Sequence, residues 1–261
     1  MNDRRSAFTL VELMIVVMIL AILAGISLGG LQAARDSAAK MRTKSTINKL
    51  HRFVMEKYAS YQYRSVPAEG ATTAERARNR LTKIRYLQRC EMPDHASEID
   101  TLSPHDMQHA KTTLGNSDLE CAELLYMIVM SMPGADVSFG SNESADTNQN
   151  GLREFIDGWG RPIMYLRWPA GFIVENGAIT QFNDIDAHDP FDAMNVDGAY
   201  AVFPLIYSSG PDGERGIVMS ANSTSPCGNT QTGCPGSGDG ASDTAGDTAR
   251  YMDNITNHNL D

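Results

Sequence analysis

Lysine is absent beyond Lys111, and proline is absent before Pro67. The first absence leaves the C-terminal half strongly acidic. The second leaves the N-terminal quarter free to form an uninterrupted helix, because nothing removes a backbone donor there. Cysteine is scarce, with four residues in 261, too few for a disulfide-dense scaffold. No Gly-rich phosphate loop, H-E-x-x-H or C-x-x-C is present, and no spacing of Ser, His and Asp supports a triad. No enzyme is expected. A composition of 42% hydrophobic and 21% charged residues, with mean hydropathy −0.30, excludes collagen, a polytopic membrane protein and a mostly disordered chain. The net charge of −10 argues against a general nucleic-acid binder, which needs a basic footprint.

Those averages conceal polarity along the chain. Residues 32–92 carry 14 Lys or Arg against 5 Asp or Glu, whereas residues 143–261 carry 5 Arg against 17 acids. The apolar residues are also segregated. Leu13–Leu31 (LMIVVMILAILAGISLGGL) is 19 residues without a charge, nearly enough to cross a hydrocarbon core. Before it stands a short polar leader with Arg4 and Arg5, which predicts the amino terminus inside and the bulk of the chain outside the cytoplasm. Glu12 is the odd residue, since a carboxylate at the head of a membrane helix is costly unless paired.

The polar leader, FTLVE (Phe8–Glu12) and the apolar run together resemble the class III signal of type IV pilins and type II secretion pseudopilins. The resemblance implies cleavage by a prepilin peptidase between Ala7 and Phe8 and N-methylation of the new terminal Phe8. Ala7 stands where the family usually has Gly. Glu12 becomes the fifth mature residue, whose implied role is to pair with the Phe8 amine of a neighbouring subunit during assembly. Two buried groups that are costly alone offset each other when paired.

The helix is expected to continue to about Arg64, near 75–80 Å in all. Its second half shows an apolar stripe through Leu31, Ala34, Ala38, Met41, Leu50, Val54, Tyr58 and Tyr61, flanked by Ile47 and Phe53. Residues 67–134 read as a helical insertion. Thr73–Cys90 is basic and helix-prone after a cap at Thr72 or Thr73. A second, buried helix begins near Ser117 and is stopped by Pro133-Gly134. His105 and His109 are spaced for one helix face; a surface helix pair is the plain reading and a metal pair the sharper one.

Asp146–Asp157 (DTNQNGLREFID) approaches the D-x-[DN]-x-[DN]-G pattern and resembles EF-hand and dockerin-type loops. Asp146, Asn148, Asn150 and Asp157 offer side-chain oxygens, Leu152 a backbone carbonyl, and Glu154 stands at position nine. A hard cation such as calcium wants six to eight such oxygens around a Gly-permitted turn. The alternative is an ordinary Asn/Asp/Gly turn.

Further on, FIDGWGRPIMYLRW (Phe155–Trp168) and LIYSSGPDGERG (Leu205–Gly216) resemble the carboxy-terminal sheet and loop of the type II secretion major pseudopilin. The resemblance implies a second calcium loop holding Asp212 and Asp253, with Glu214 as a substitute. Read from residues alone, PIMYLRW, GFIV and YAVFPLIYSSG are short strands between Gly, Pro and Asp clusters. Three or four antiparallel strands packed on the helix stripe give an α+β head over residues 135–261.

Cys227 and Cys234 form a plausible local disulfide. Cys90–Cys121 would be the other pair by exclusion, with a free Cys121 in an apolar helix as its alternative. The expected layout is a leader (1–7), a transmembrane half-helix (8–31), an extracytoplasmic half-helix (32–66), the insertion and the head. Such a chain is expected to be a single-pass inner-membrane protein with its head in the periplasm or on the cell surface. It would assemble with pilin or pseudopilin subunits after processing by prepilin peptidase, using membrane lipid and an inner-membrane assembly platform. A pilin for adhesion or DNA uptake, or a membrane-anchored calcium-binding protein that never polymerises, are the other readings.

Overall fold

The computed structural model describes residues 10–169, 173–175, 179–180, 188–196, 201–217 and 254–258. With no proline to interrupt it, the N-terminal segment forms one helix, α1 (Leu10–Ser60, 51 residues), closed by a 3-10 turn at Tyr61–Tyr63. At standard rise it is about 75 Å long. Three helices follow in the middle segment: α2 (Thr73–Glu91), α3 (His105–Leu114) and α4 (Glu120–Met130). A full capping box starts α2. Thr72 Oγ1 accepts from Glu75 N at 3.1 Å, and Glu75 Oε2 accepts from Thr72 N at 3.0 Å. A short α5 (Ala135–Ser138) precedes the strands.

The strands are short. β1 (Ser144–Ala145) pairs with β2 (Glu154–Phe155), and β4 (Ile173–Glu175) with β5 (Ile179–Thr180). The central sheet has the order β3-β6-β7, from β3 (Met164–Leu166), β6 (Leu205–Ser208) and β7 (Ile255–Thr256), all antiparallel. The fold is therefore α+β: a long N-terminal helix, then helices and small antiparallel sheets, as expected of a pilin-like chain.

Strand alternation divides the core in two. Tyr165, Ile206 and Ile255 join the main cluster with Ile47, Leu50, Val54 and Tyr58 of α1. Met164, Leu166, Leu205 and Tyr207 point the other way, onto Cys121 and Ala122 at the start of α4. Helix α4 belongs to both clusters, because Leu124, Leu125, Ile128 and Val129 pack into the main one. Its apolar sequence is that of a core element.

The stripe on α1 needs one correction. Leu31 is 50% and Met41 70% exposed, and Ala34 and Ala38 are exposed too. Burial starts at Thr43 and runs through Thr46, Ile47, Leu50, Phe53, Val54 and Tyr58 to Tyr61. Among the described residues the head reaches along the helix to the Ala39–Thr43 turn. Its upper edge is the turn at Gly158, whose N–H donates to Thr43 Oγ1 at 2.9 Å. One helical turn below, Glu143 accepts from Thr46 Oγ1 and Lys49 Nζ, both at 2.9 Å.

A buried ion cluster ties the middle segment to the sheet. Arg167, 2% exposed, donates from Nη1 and Nη2 to the two oxygens of Glu98 at 2.7 and 2.6 Å. Its backbone N–H donates to Asp94 Oδ2 at 2.9 Å, and Nη1 also reaches Met92 O.

Candidate functional site

Two places in the chain carry unusual chemistry. The first is the free half of α1. Leu10, Val11, Leu13 and Met14 are each at least 60% exposed, and the large apolar residues from there to Leu23 remain solvent-facing on every side of the helix. The helix is long and apolar enough to cross a membrane by length and composition. Glu12 lies among these residues in the first turn. Ala7 and Phe8 lie outside the described residues.

The second is the loop between β1 and β2. Asp146 accepts backbone N–H groups on both oxygens, from Asn150 at 3.1 Å and Gly151 at 2.9 Å. Asn148 Oδ1 accepts from Asn150 N, and Asn150 Oδ1 from Leu152 N. Gly151 has φ 90°, a left-handed conformation that favours glycine. The side-chain amides of Asn148 and Asn150 both donate to Glu123 Oε1 of α4, at 2.8 and 2.7 Å. Glu154 Oε2 accepts from Thr147 N at 2.9 Å. Burial raises the Glu154 pKa above the ordinary carboxylate value, with the Glu123 and Asp146 charges adding to it against the Thr147 bonds. Asp157 serves a different turn. Its Oδ1 accepts from Trp159 N and Arg161 N, both at 2.9 Å, and its Oδ2 from Ser208 Oγ at 2.7 Å. Sequence counting places Asp157 at the loop's closing position, and here the adjacent Trp-Gly turn takes its Oδ1 while Ser208 of β6 takes its Oδ2.

The Trp-Gly turn and the Ser-Gly-Pro-Asp-Gly loop meet through that Asp157–Ser208 bond. They also meet through Arg161, which donates from Nη1 to Gly210 O. The Arg161 guanidinium lies against Gly213, where a Cβ would stand 2.7 Å from its Cζ. Asp212 and Glu214 are exposed, and Asp212 Oδ1 accepts from Glu214 N. The described part of this loop is a turn braced by a guanidinium. Asp253, its expected closing acid, lies outside the described residues.

Residues 2–28 match the prokaryotic N-terminal methylation motif. The chain carries a prepilin-type signal. No curated protein and no solved structure matches the chain. The match covers the leader and most of the exposed half-helix, so the structural singularity of that half and its sequence signature coincide.

The remaining expectations for this prepilin-type chain concern cysteine and histidine. Cys90 and Cys121 are both buried free thiols, so the pairing expected by exclusion is not formed. Cys121 packs in the second core cluster, and burial pushes its thiol up to about 12. Cys90 lies in the last turn of α2, and burial raises its pKa as well, partly offset by Tyr86. Both thiols stay protonated and unreactive at neutral pH. Cys227 and Cys234 lie outside the described residues. On α3, His105 and His109 stand with their Nε2 atoms 2.9 Å apart on an exposed face. Among the described residues no three His, Cys, Asp or Glu side chains are gathered as a ready-made metal site.

Proposed function

We propose that this chain is a non-enzymatic subunit of a pilus-like filament, of the type II secretion pseudopilus kind, processed by prepilin peptidase and supporting protein secretion. The observation that carries the reading is the bare apolar half of α1, continuous with a half that is docked on the head. Such a helix needs lipid before assembly and neighbouring helices after it, since an apolar face of that size is not left in water. Glu12 then serves as the assembly residue, its charge offset by the Phe8 amine of a neighbour. With Arg4 and Arg5 on the cytoplasmic side, the head faces the periplasm or the cell surface. The joined Trp-Gly and Ser-Gly-Pro-Asp-Gly segments favour a pseudopilin over an adhesion or DNA-uptake pilin, because both segments of that resemblance form one structural unit.

The test is Glu12→Ala in the full chain. Incorporation into filaments is expected to fall at least ten-fold, while the melting temperature of the head, whose described residues pack on α1 and its closing turn from Ala39 to Tyr61, stays unchanged. Filament incorporation at the wild-type level would remove the reading. Intact mass of the membrane-extracted protein gives a second check, with a methylated Phe8 start expected.

A further inference from the structure

Glu123 is the only charged residue between Cys121 and Met130, and it is 0% exposed. Its Oε1 is well supplied, accepting from Ser117 Oγ at 2.7 Å as well as from Asn148 and Asn150. Its Oε2 is buried without a hydrogen-bond partner. Glu154, at the start of β2, is also 0% exposed, and its Oε1 is likewise buried without a partner. Neither carboxylate is ion-paired with a Lys, Arg or His among the described residues. Buried carboxylate oxygens without a donor or a counter-charge are costly. Two of them, on different elements, border one Asp-Asn-Asn loop.

A proton answers that cost for one carboxylate. A divalent cation answers it for both. The surrounding donors are all oxygen: the Glu123 and Glu154 carboxylates, Asp146, and the side-chain carbonyls of Asn148 and Asn150. An all-oxygen set around a glycine-permitted turn suits calcium rather than a softer metal. The Asn148 and Asn150 side chains both meet Glu123 Oε1, which binds the loop to α4.

We infer that Glu123 of α4 and Glu154 of β2 complete a calcium site with Asp146, Asn148 and Asn150, so that the ion ties the core helix to the loop. This goes beyond the contiguous loop motif, adding a ligand from 23 residues upstream of Asp146 and leaving Asp157 to its own turn. The site is independent of filament formation.

The test is thermal melting of the full chain in detergent, in EDTA and in millimolar calcium. Calcium is expected to raise the wild-type melting temperature by roughly 5 °C or more. Glu123→Gln keeps the accepting Oε1 and removes the charge. It is expected to melt in EDTA at or above the wild-type temperature and to lose the calcium-dependent rise. Glu154→Gln should behave the same way. Asp212→Asn, in the other loop, should keep a Glu123-dependent rise. Equilibrium dialysis with radioactive calcium should show one ion fewer per chain in Glu123→Gln. The inference is overturned by an absent calcium response in wild type, by an equal response in Glu123→Gln, or by equal destabilisation of that variant with and without calcium. Because melting in detergent does not require polymerisation, failure here leaves the Glu12 result untouched.

Discussion

Arg167→Leu is expected to cost about 4 kcal/mol of stability, lowering the melting temperature of the full chain by roughly 8–16 °C. The guanidinium is buried and bidentate on Glu98, with Asp94 Oδ1 3.5 Å from Nη2. Removing it leaves two largely buried carboxylates with only the exposed Arg89, 3.4 Å from Glu98 Oε1, as a counter-charge among the described residues, and that charge imbalance, more than the lost bonds, sets the size of the effect. Arg167→Lys should fall between, because a point charge cannot span both Glu98 oxygens. Combining Arg167→Leu with Asp94→Asn and Glu98→Gln should recover much of the loss. A fall of under 2 °C in Arg167→Leu would show that the cluster contributes little.

The same cluster sets an acid limit. Burial works against the Glu98 carboxylate, but the Arg167 hydrogen bonds and charge outweigh it and hold its pKa below the ordinary value. A group depressed on folding contributes stability above its unfolded pKa and loses it as pH falls through the folded one. Asp94 is shifted the other way, raised by burial in spite of Arg167. The Glu98 contribution should therefore persist until the pH drops below about 4.5, near the ordinary Glu value. Acid titration of the melting temperature in wild type against Arg167→Leu isolates it.

Gly158→Ala is the second large effect. A Cβ there would stand 2.1 Å from the carbonyl oxygen of Ala39 and 2.5 Å from its Cα. Both neighbours are backbone of α1, so no side chain can swing aside. The turn must retreat from the helix, weakening the Gly158 N–Thr43 Oγ1 bond and unseating Trp159. A loss of about 3 kcal/mol follows from overpacking, read as a fall in melting temperature of roughly 6–12 °C. Gly160→Ala is the comparison. Its φ of 84° is strained for alanine, yet nothing lies within 4 Å of the new Cβ, so it should cost only about 1–2 kcal/mol. Equal effects at the two positions would mean that backbone conformation, not contact with α1, governs the turn.

Much of this architecture is legible in the sequence, and the exceptions have physical causes. Long helices announce themselves by period and by the absence of proline, which is why α1 and α2 are read nearly to the residue. The docking boundary on α1 is not legible. Leu31, Ala34, Ala38 and Met41 continue the same three-four spacing as the residues below, and spacing does not say what covers a face. β7 is two residues long, too short for alternation to register. The bonds that Asp157 makes are not legible either, because motif counting ignores local competition from the Trp159 and Arg161 amides. Glu123 escaped because it lies outside the loop motif. Its only signal is a single acid inside the apolar run CAELLYMIVM, and that signal has no partner until the fold brings the loop to it.

The continuity of α1 has a geometric consequence. No proline separates the exposed half from the docked half, and α1 is one continuous helix, so it sets the angular phase of the head relative to Glu12. Each residue added between Leu31 and Thr43 would turn the head by about 100° around the axis and move it by about 1.5 Å. The length of that bare connector thus specifies which side of the head each neighbour along a helical array would meet.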